Sequence, residues 1–105
     1  GFDWPKADQV LDKIDEELAE LRAEITADTV APDRIEDELG DILFTVVNLA
    51  RHLDVDPETA LRSTNAKFER RFRRIETLLA ETGRRPQDAE LDEMEAFWQR
   101  AKLEE

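Results

Sequence analysis

The chain has 105 residues, with 15 Lys+Arg against 27 Asp+Glu, a net charge of −12, one His and no Cys. That length holds one small domain spanning residues 1–105. The acidic balance excludes a nucleic acid polymer as partner, because phosphate contacts need a cationic surface. Nucleotides stay open, since a bound divalent metal inverts the local charge. Without Cys there is no disulfide framework, thiolate nucleophile or Cys-based zinc site. A single His removes multi-histidine metal sites and argues against a His-based triad. No apolar run approaches the ~20 residues of a membrane span and no signal-peptide pattern opens the chain. No membrane association and a cytoplasmic location are therefore expected. Because the chain begins at Gly1 and not Met, a piece of something longer is one reading.

Four helical segments follow in order. The first is predicted over about residues 7–27. Its apolar residues Val10, Leu11, Ile14, Leu18, Leu21 and Ile25 recur at helical steps, with Pro5 before it and Asp8 as a cap. A loop over residues 26–32 leads to a second helix, from Asp33 to about Leu53. Asp33 with Glu36 resembles a capping box. Ile35, Leu39, Ile42, Leu43, Val46, Val47, Leu49, Ala50 and Leu53 make its apolar stripe too wide for a helix with one wet face, so this helix is expected to be central. Asp56-Pro57 reads as a cap followed by proline at the first helical position. The third helix runs to about Thr82 and stops at Gly83. A linker with Pro86 precedes a short last helix over about residues 92–103. Short connections favour antiparallel neighbours, hence an all-α antiparallel bundle of about four helices. The second helix is apolar over too much of its circumference for a monomer of this size to cover. Oligomerisation, to at least a homodimer, is expected to complete the bundle.

The acids are placed with a pattern. Glu16-Glu17-x-x-Glu20 lies on the first helix and Glu38-x-x-Asp41 on the second. Residues three or four apart share a helix face, so Glu17 pairs with Glu20 and Glu38 with Asp41. Projection at about 100° per residue puts both pairs beside the apolar stripes, near the seam where the helices would pack. Carboxylates gathered there repel one another and lose hydration. A hard divalent cation with oxygen ligands removes that penalty; a merely solvated acidic face is the alternative.

The third helix carries Ala60, Leu61, Phe68, Phe72, Ile75, Leu78 and Leu79, with Arg71 inside this stripe and Lys67 at its edge. A buried Arg needs an anion. The carboxylate cluster, a ligand phosphate and a structural Glu all qualify, and so does snorkelling to solvent. Trp98 and Lys102, four apart on the last helix, share a face. His52 shares a stripe with Asp41 and Asn48 and reads as a polar-face residue, not a ligand.

Glu16-Glu17-x-x-Glu20, a 17-residue gap and Glu38-x-x-Asp41 resemble the EExxE…ExxD signature of the all-α nucleoside triphosphate pyrophosphohydrolases. Gly1-Phe2-Asp3-Trp4-Pro5, Glu38-Leu39-Gly40-Asp41-Ile42-Leu43-Phe44, Val47-Asn48-Leu49-Ala50-Arg51 and Asn65-Ala66-Lys67-Phe68-Glu69-Arg70-Arg71-Phe72 narrow the likeness. They resemble MazG, and its C-terminal domain in long members, over nearly the whole chain. The resemblance implies an oligomeric helical enzyme that hydrolyses NTPs and dNTPs to the monophosphate and pyrophosphate with Mg²⁺, for which Mn²⁺ can substitute. It implies Glu17, Glu20, Glu38 and Asp41 as metal ligands. Glu16 becomes a supporting or water-orienting acid. Lys67, Arg71, Trp98 and Lys102 become nucleotide contacts.

With no Cys, P-loop glycine run or triad, a metal-activated water is the economical way to attack the phosphoanhydride. Phe2 and Trp4 are further candidates for base contact, or packing residues. A di-iron bundle is rejected, since no His follows a Glu by three. A non-catalytic helical interaction module and a narrower dUTP or dCTP pyrophosphatase stay as alternatives.

Overall fold

A computed structural model describes residues 1–105. It contains α1 (Ala7–Ile25), α2 (Pro32–His52), α3 (Pro57–Ala80), a 3₁₀ turn (Pro86–Asp88) and α4 (Leu91–Leu103), with no strand. The all-α expectation holds. None of the helices is long and apolar enough to cross a membrane. The chain divides into two compact units, Gly1–Pro57 and Glu58–Glu105.

In the first unit α1 and α2 form an antiparallel hairpin. Near the loop Glu24 meets Arg34 at 4.0 Å. Further out Glu17 and Asp41 share one cluster, and at the far end Asp3 meets Asn48 at 2.9 Å. The partners recede from the loop together, as two helices running in opposite directions require. Val10 and Ile42 are the buried apolar residues of this unit, and Glu17 and Thr45 its buried polar ones. In the second unit the buried set is Ile75, Leu78 and Leu79 of α3 with Ala101 of α4. Arg84 meets Glu93 at 2.6 Å beside the connection, while Arg74 meets Glu104 at 2.6 Å and Arg71 meets Glu105 at 3.0 Å at the far end. This pair is antiparallel too.

Two helix ends use one device. After α2, Asp54 is left-handed at φ 58, and the Val55 N–H donates to the Ala50 carbonyl at 2.9 Å. After α3, Gly83 is left-handed at φ 70, and the Arg84 N–H donates to the Leu79 carbonyl at 3.0 Å. Both bonds satisfy carbonyls that a helix end leaves orphaned. The helix starts differ from expectation. Lys6 is the N-cap of α1 and Ala31 that of α2, neither with a side-chain cap bond. Asp8 and Asp33 are the second residues of their helices, first-turn acids that favour the helix dipole. Pro32 already takes the first helical position of α2, so the Asp33–Glu36 capping box cannot form. Pro57 opens α3 as its sequence predicts.

Candidate functional site

The hairpin register brings three of the acids together. Glu17, Glu38 and Asp41 each present one carboxylate oxygen, and these oxygens lie within 4.8 Å of one another. Glu17 is 6% exposed, although its side chain is a carboxyl. Glu38 is half-buried, and its Oε2 is fully enclosed without a hydrogen-bond donor. Ionised carboxylates only accept hydrogen bonds, so the neighbouring acids cannot supply one. Burial and the Glu20 and Glu17 charges hold the Glu38 carboxyl above its ordinary pKa. When protonated, Glu38 gains a hydrogen bond with Glu20. Burial likewise raises Glu17, offset by Lys13 and reinforced by Asp41, Glu20 and Glu16.

An undonated buried oxygen within a converging set of hard oxygens is the chemistry a divalent cation satisfies. Three of the four acids expected as metal ligands, Glu17, Glu38 and Asp41, lie in this group. Glu20 stands exposed beside Glu38, and outside the three-oxygen group. Glu16 is exposed and meets Lys13 at 3.4 Å. Lys13 also reaches Glu17 at 3.8 Å. The sequence reading passed over Lys13, although its spacing of three and four residues to the two acids is the signal for such pairing.

The same cluster forms one side of a pocket of about 150 Å³, lined by Trp4, Glu17, Asp41, Phe44, Thr45 and Asn48. Asp3, next to Trp4, ties the segment before α1 to the end of α2. Its Oδ1 accepts from the Trp4 N–H at 2.8 Å and from Asn48 Nδ2 at 2.9 Å. Its Oδ2 meets His52 Nε2 at 3.0 Å and pairs with Arg51. The Asn48 and His52 bonds hold the Asp3 carboxyl well below the usual range. His52 is accordingly a polar partner, as its position predicted. No local signal marks Asp3, because its partners lie 45 to 49 residues away.

The second unit carries the four residues expected as nucleotide contacts, Lys67 and Arg71 on α3 and Trp98 and Lys102 on α4, and brings Arg71 and Trp98 together. The Arg71 side chain is 12% exposed. Its Nε and Nη2 donate to the two Glu105 oxygens at 3.0 and 3.1 Å. Its guanidinium also lies 5.3 Å from the centre of the Trp98 ring, within cation–π range. Phe68 packs on Trp98 at 5.4 Å and stacks on Phe72 at 6.1 Å. The anion that the position of Arg71 called for is therefore a structural Glu in this conformation. Lys67 is half-buried and Lys102 exposed.

These shifts give stability a pH dependence. Raised Glu17 and Glu38 carboxyls bind protons in the folded state that the unfolded chain has released. Stability from this source falls as pH rises through the raised values. Asp3, Glu104 and Glu105 are lowered; their contribution is lost as pH falls below the ordinary carboxylate range. Metal-free protein should therefore melt highest in mild acid, at about pH 5, and lower at about pH 7 and pH 3. Calorimetry in chelator across that range checks this, and a melting temperature that only falls from pH 7 downward would contradict it.

Comparison with known proteins finds a family match and several relatives. The MazG nucleotide pyrophosphohydrolase domain model matches residues 6–75, which include all five acids, Lys67 and Arg71. The nucleoside triphosphate pyrophosphohydrolase of Escherichia coli (strain K12) is 44% identical over 105 residues, which is all of this chain and 40% of that protein. A Thermotoga maritima protein named nucleoside triphosphate pyrophosphohydrolase/pyrophosphatase MazG is 40% identical over 102 residues, 97% of this chain and 38% of that protein. The YabN protein of Bacillus subtilis (strain 168), of uncharacterized function, is 48% identical over 65 residues, 62% of this chain and 13% of that protein. The chain spans about two fifths of the length of the first two.

Proposed function

Because the chain belongs to the MazG nucleotide pyrophosphohydrolase domain family, we propose that it hydrolyses nucleoside triphosphates, NTP and dNTP, to the monophosphate and pyrophosphate. We read it as a single MazG-type domain that uses Mg²⁺, or Mn²⁺ in its place, and serves nucleotide-pool house-cleaning in the cytoplasm. The observation that carries the reading is the convergence of Glu17, Glu38 and Asp41 around an oxygen without a donor. These acids would hold the cation, with Glu20 as the fourth. When bound, Mg²⁺ supplies Lewis-acid stabilisation of phosphoryl oxygens and lowers the pKa of a water.

The chain's own residues do the rest. Glu16, outside the cluster, is assigned to orient the attacking water. Lys67, Arg71 and Lys102 are assigned to the phosphates, where charge-assisted bonds hold the leaving pyrophosphate. Trp98 is assigned to the ribose or base. Engaging Arg71 requires that Glu105 release it, an exchange of one anion for another.

A nucleotide panel with Mg²⁺, read as pyrophosphate release, tests the proposal. Turnover of several bases supports it, turnover of dUTP or dCTP alone narrows it, and no turnover favours a non-catalytic helical module.

We further propose a homo-oligomer, at least a dimer. Leu39, Leu43, Val46 and Val47 recur along one stripe of α2 and are all exposed. A second copy would remove this stripe from water. Light scattering at micromolar concentration should give at least twice the 12.2 kDa chain mass, and Leu43→Glu should lower it. A wild-type mass of one chain would contradict this.

A further inference from the structure

The pocket beside the acidic cluster points to a role for the segment before α1. Two aromatic side chains line it, Trp4 at 40% exposure and Phe44 at 78%. Both line it together with Glu17 and Asp41. At about 150 Å³ the pocket suits one ring system and not a whole nucleotide. Trp98, the other tryptophan, is already engaged by the Arg71 guanidinium and by Phe68. Trp4 is tethered through its neighbour Asp3. Asp3 takes its backbone N–H and the side chains of Asn48, Arg51 and His52. Asn48 both lines the pocket and holds Asp3, and its Oδ1 accepts from Arg51 at 2.8 Å.

From this geometry we infer that Trp4 is the stacking platform for the heteroaromatic base of the nucleotide, and that Asp3 is the positioning residue that fixes it there. The inference rests on the proposed nucleotide reading of the site. Stacking on an aromatic side chain tolerates any base, since each has a π-face. A broad base range therefore follows from this platform. Freed from Asp3, the segment carrying Trp4 would lose its tether to α2, and each binding event would have to order it again.

The test separates base from phosphate. Binding is measured in Mg²⁺ with an α,β-methylene nucleoside triphosphate, which cannot be cleaved at that bond, and with inorganic tripolyphosphate, which has no base. In protein labelled with 5-fluorotryptophan, the Trp4 ¹⁹F resonance, assigned with Trp4→Phe, should shift with the nucleotide analogue and not with tripolyphosphate. Asp3→Ala should weaken the analogue about tenfold or more and leave tripolyphosphate affinity unchanged. Asp3→Asn keeps Oδ1 as an acceptor for Trp4 and Asn48 but loses the pairing of Oδ2 with Arg51, and should restore part of the loss. Trp4→Ala should match Asp3→Ala, and it carries the test if Asp3→Ala fails to fold. A Trp4 signal indifferent to the analogue, no analogue binding at all, or equal weakening of both ligands by Asp3→Ala would overturn the inference. Analogue binding with the expected shift, in a protein that releases no pyrophosphate from natural nucleotides, would uphold it while refuting the hydrolase reading.

Discussion

Glu38→Gln should abolish most of the stabilisation by Mg²⁺ and most of the pyrophosphate release, while leaving the metal-free fold intact or more stable. In the wild type a cation that binds only the assembled cluster stabilises by about 2.7 kcal/mol at a hundredfold excess over its dissociation constant. For a chain of this length that raises the melting temperature on the order of 10 °C. The variant loses one charged ligand, so the rise should shrink to a small fraction. The metal-free change has the opposite sign. Glu38 sits among Glu20, Glu17 and Asp41 with an enclosed oxygen that no group donates to. An amide removes one negative charge and adds an N–H that these acceptors can take. It also removes the Glu38 share of the gain between neutral and mildly acidic pH. Calorimetry with and without Mg²⁺, beside an activity assay, reads all of this. Wild-type activity in Glu38→Gln would remove Glu38 from the site.

Arg71→Ala should lower kcat/KM by roughly 30-fold or more, corresponding to about 2–5 kcal/mol for a lost charge-assisted contact to an anionic ligand. The structure adds a cost to stability. Arg71 now has partners, Glu105 and the Trp98 ring, so the substitution should also lower the melting temperature by a few degrees, given about 1 kcal/mol for a cation–π contact. Glu105 is itself partly exposed and can turn to water, which keeps the loss modest. The two readings of this arginine separate on one variant. A phosphate contact loses activity far beyond its unfolded fraction. An arginine that serves only α3 and α4 melts much earlier and keeps near-normal kcat/KM when folded.

The sequence carried the helices and the acidic cluster because both rest on local spacing. Pairs three apart on two helices, joined by a short loop, meet in an antiparallel hairpin whatever the details of packing. The positions of Pro57 and Gly83 fixed two boundaries through backbone chemistry alone. Starts were less legible. Asp33 and Glu36 satisfy a capping pattern, yet Pro32 opens the helix first, and two signals one residue apart cannot both set the boundary. Contacts across distance were not legible. Asp3 gains its meaning from Asn48, Arg51 and His52, and no periodicity links them. The stripe position of Arg71 calls for an anion without distinguishing a ligand from a protein group. Glu105 lies past the last periodic residue, where pattern reading has nothing to count.

The central claim is that this chain directs water to the bond between the α and β phosphates. Hydrolysis of a nucleoside triphosphate in ¹⁸O-water with Mg²⁺, followed by mass spectrometry of the products, tests it most directly. The account predicts monophosphate and pyrophosphate in equal amounts, with the solvent oxygen in one product only and no reaction in chelator. Release of inorganic phosphate with nucleoside diphosphate, or no cleavage with Mg²⁺ present, would contradict it.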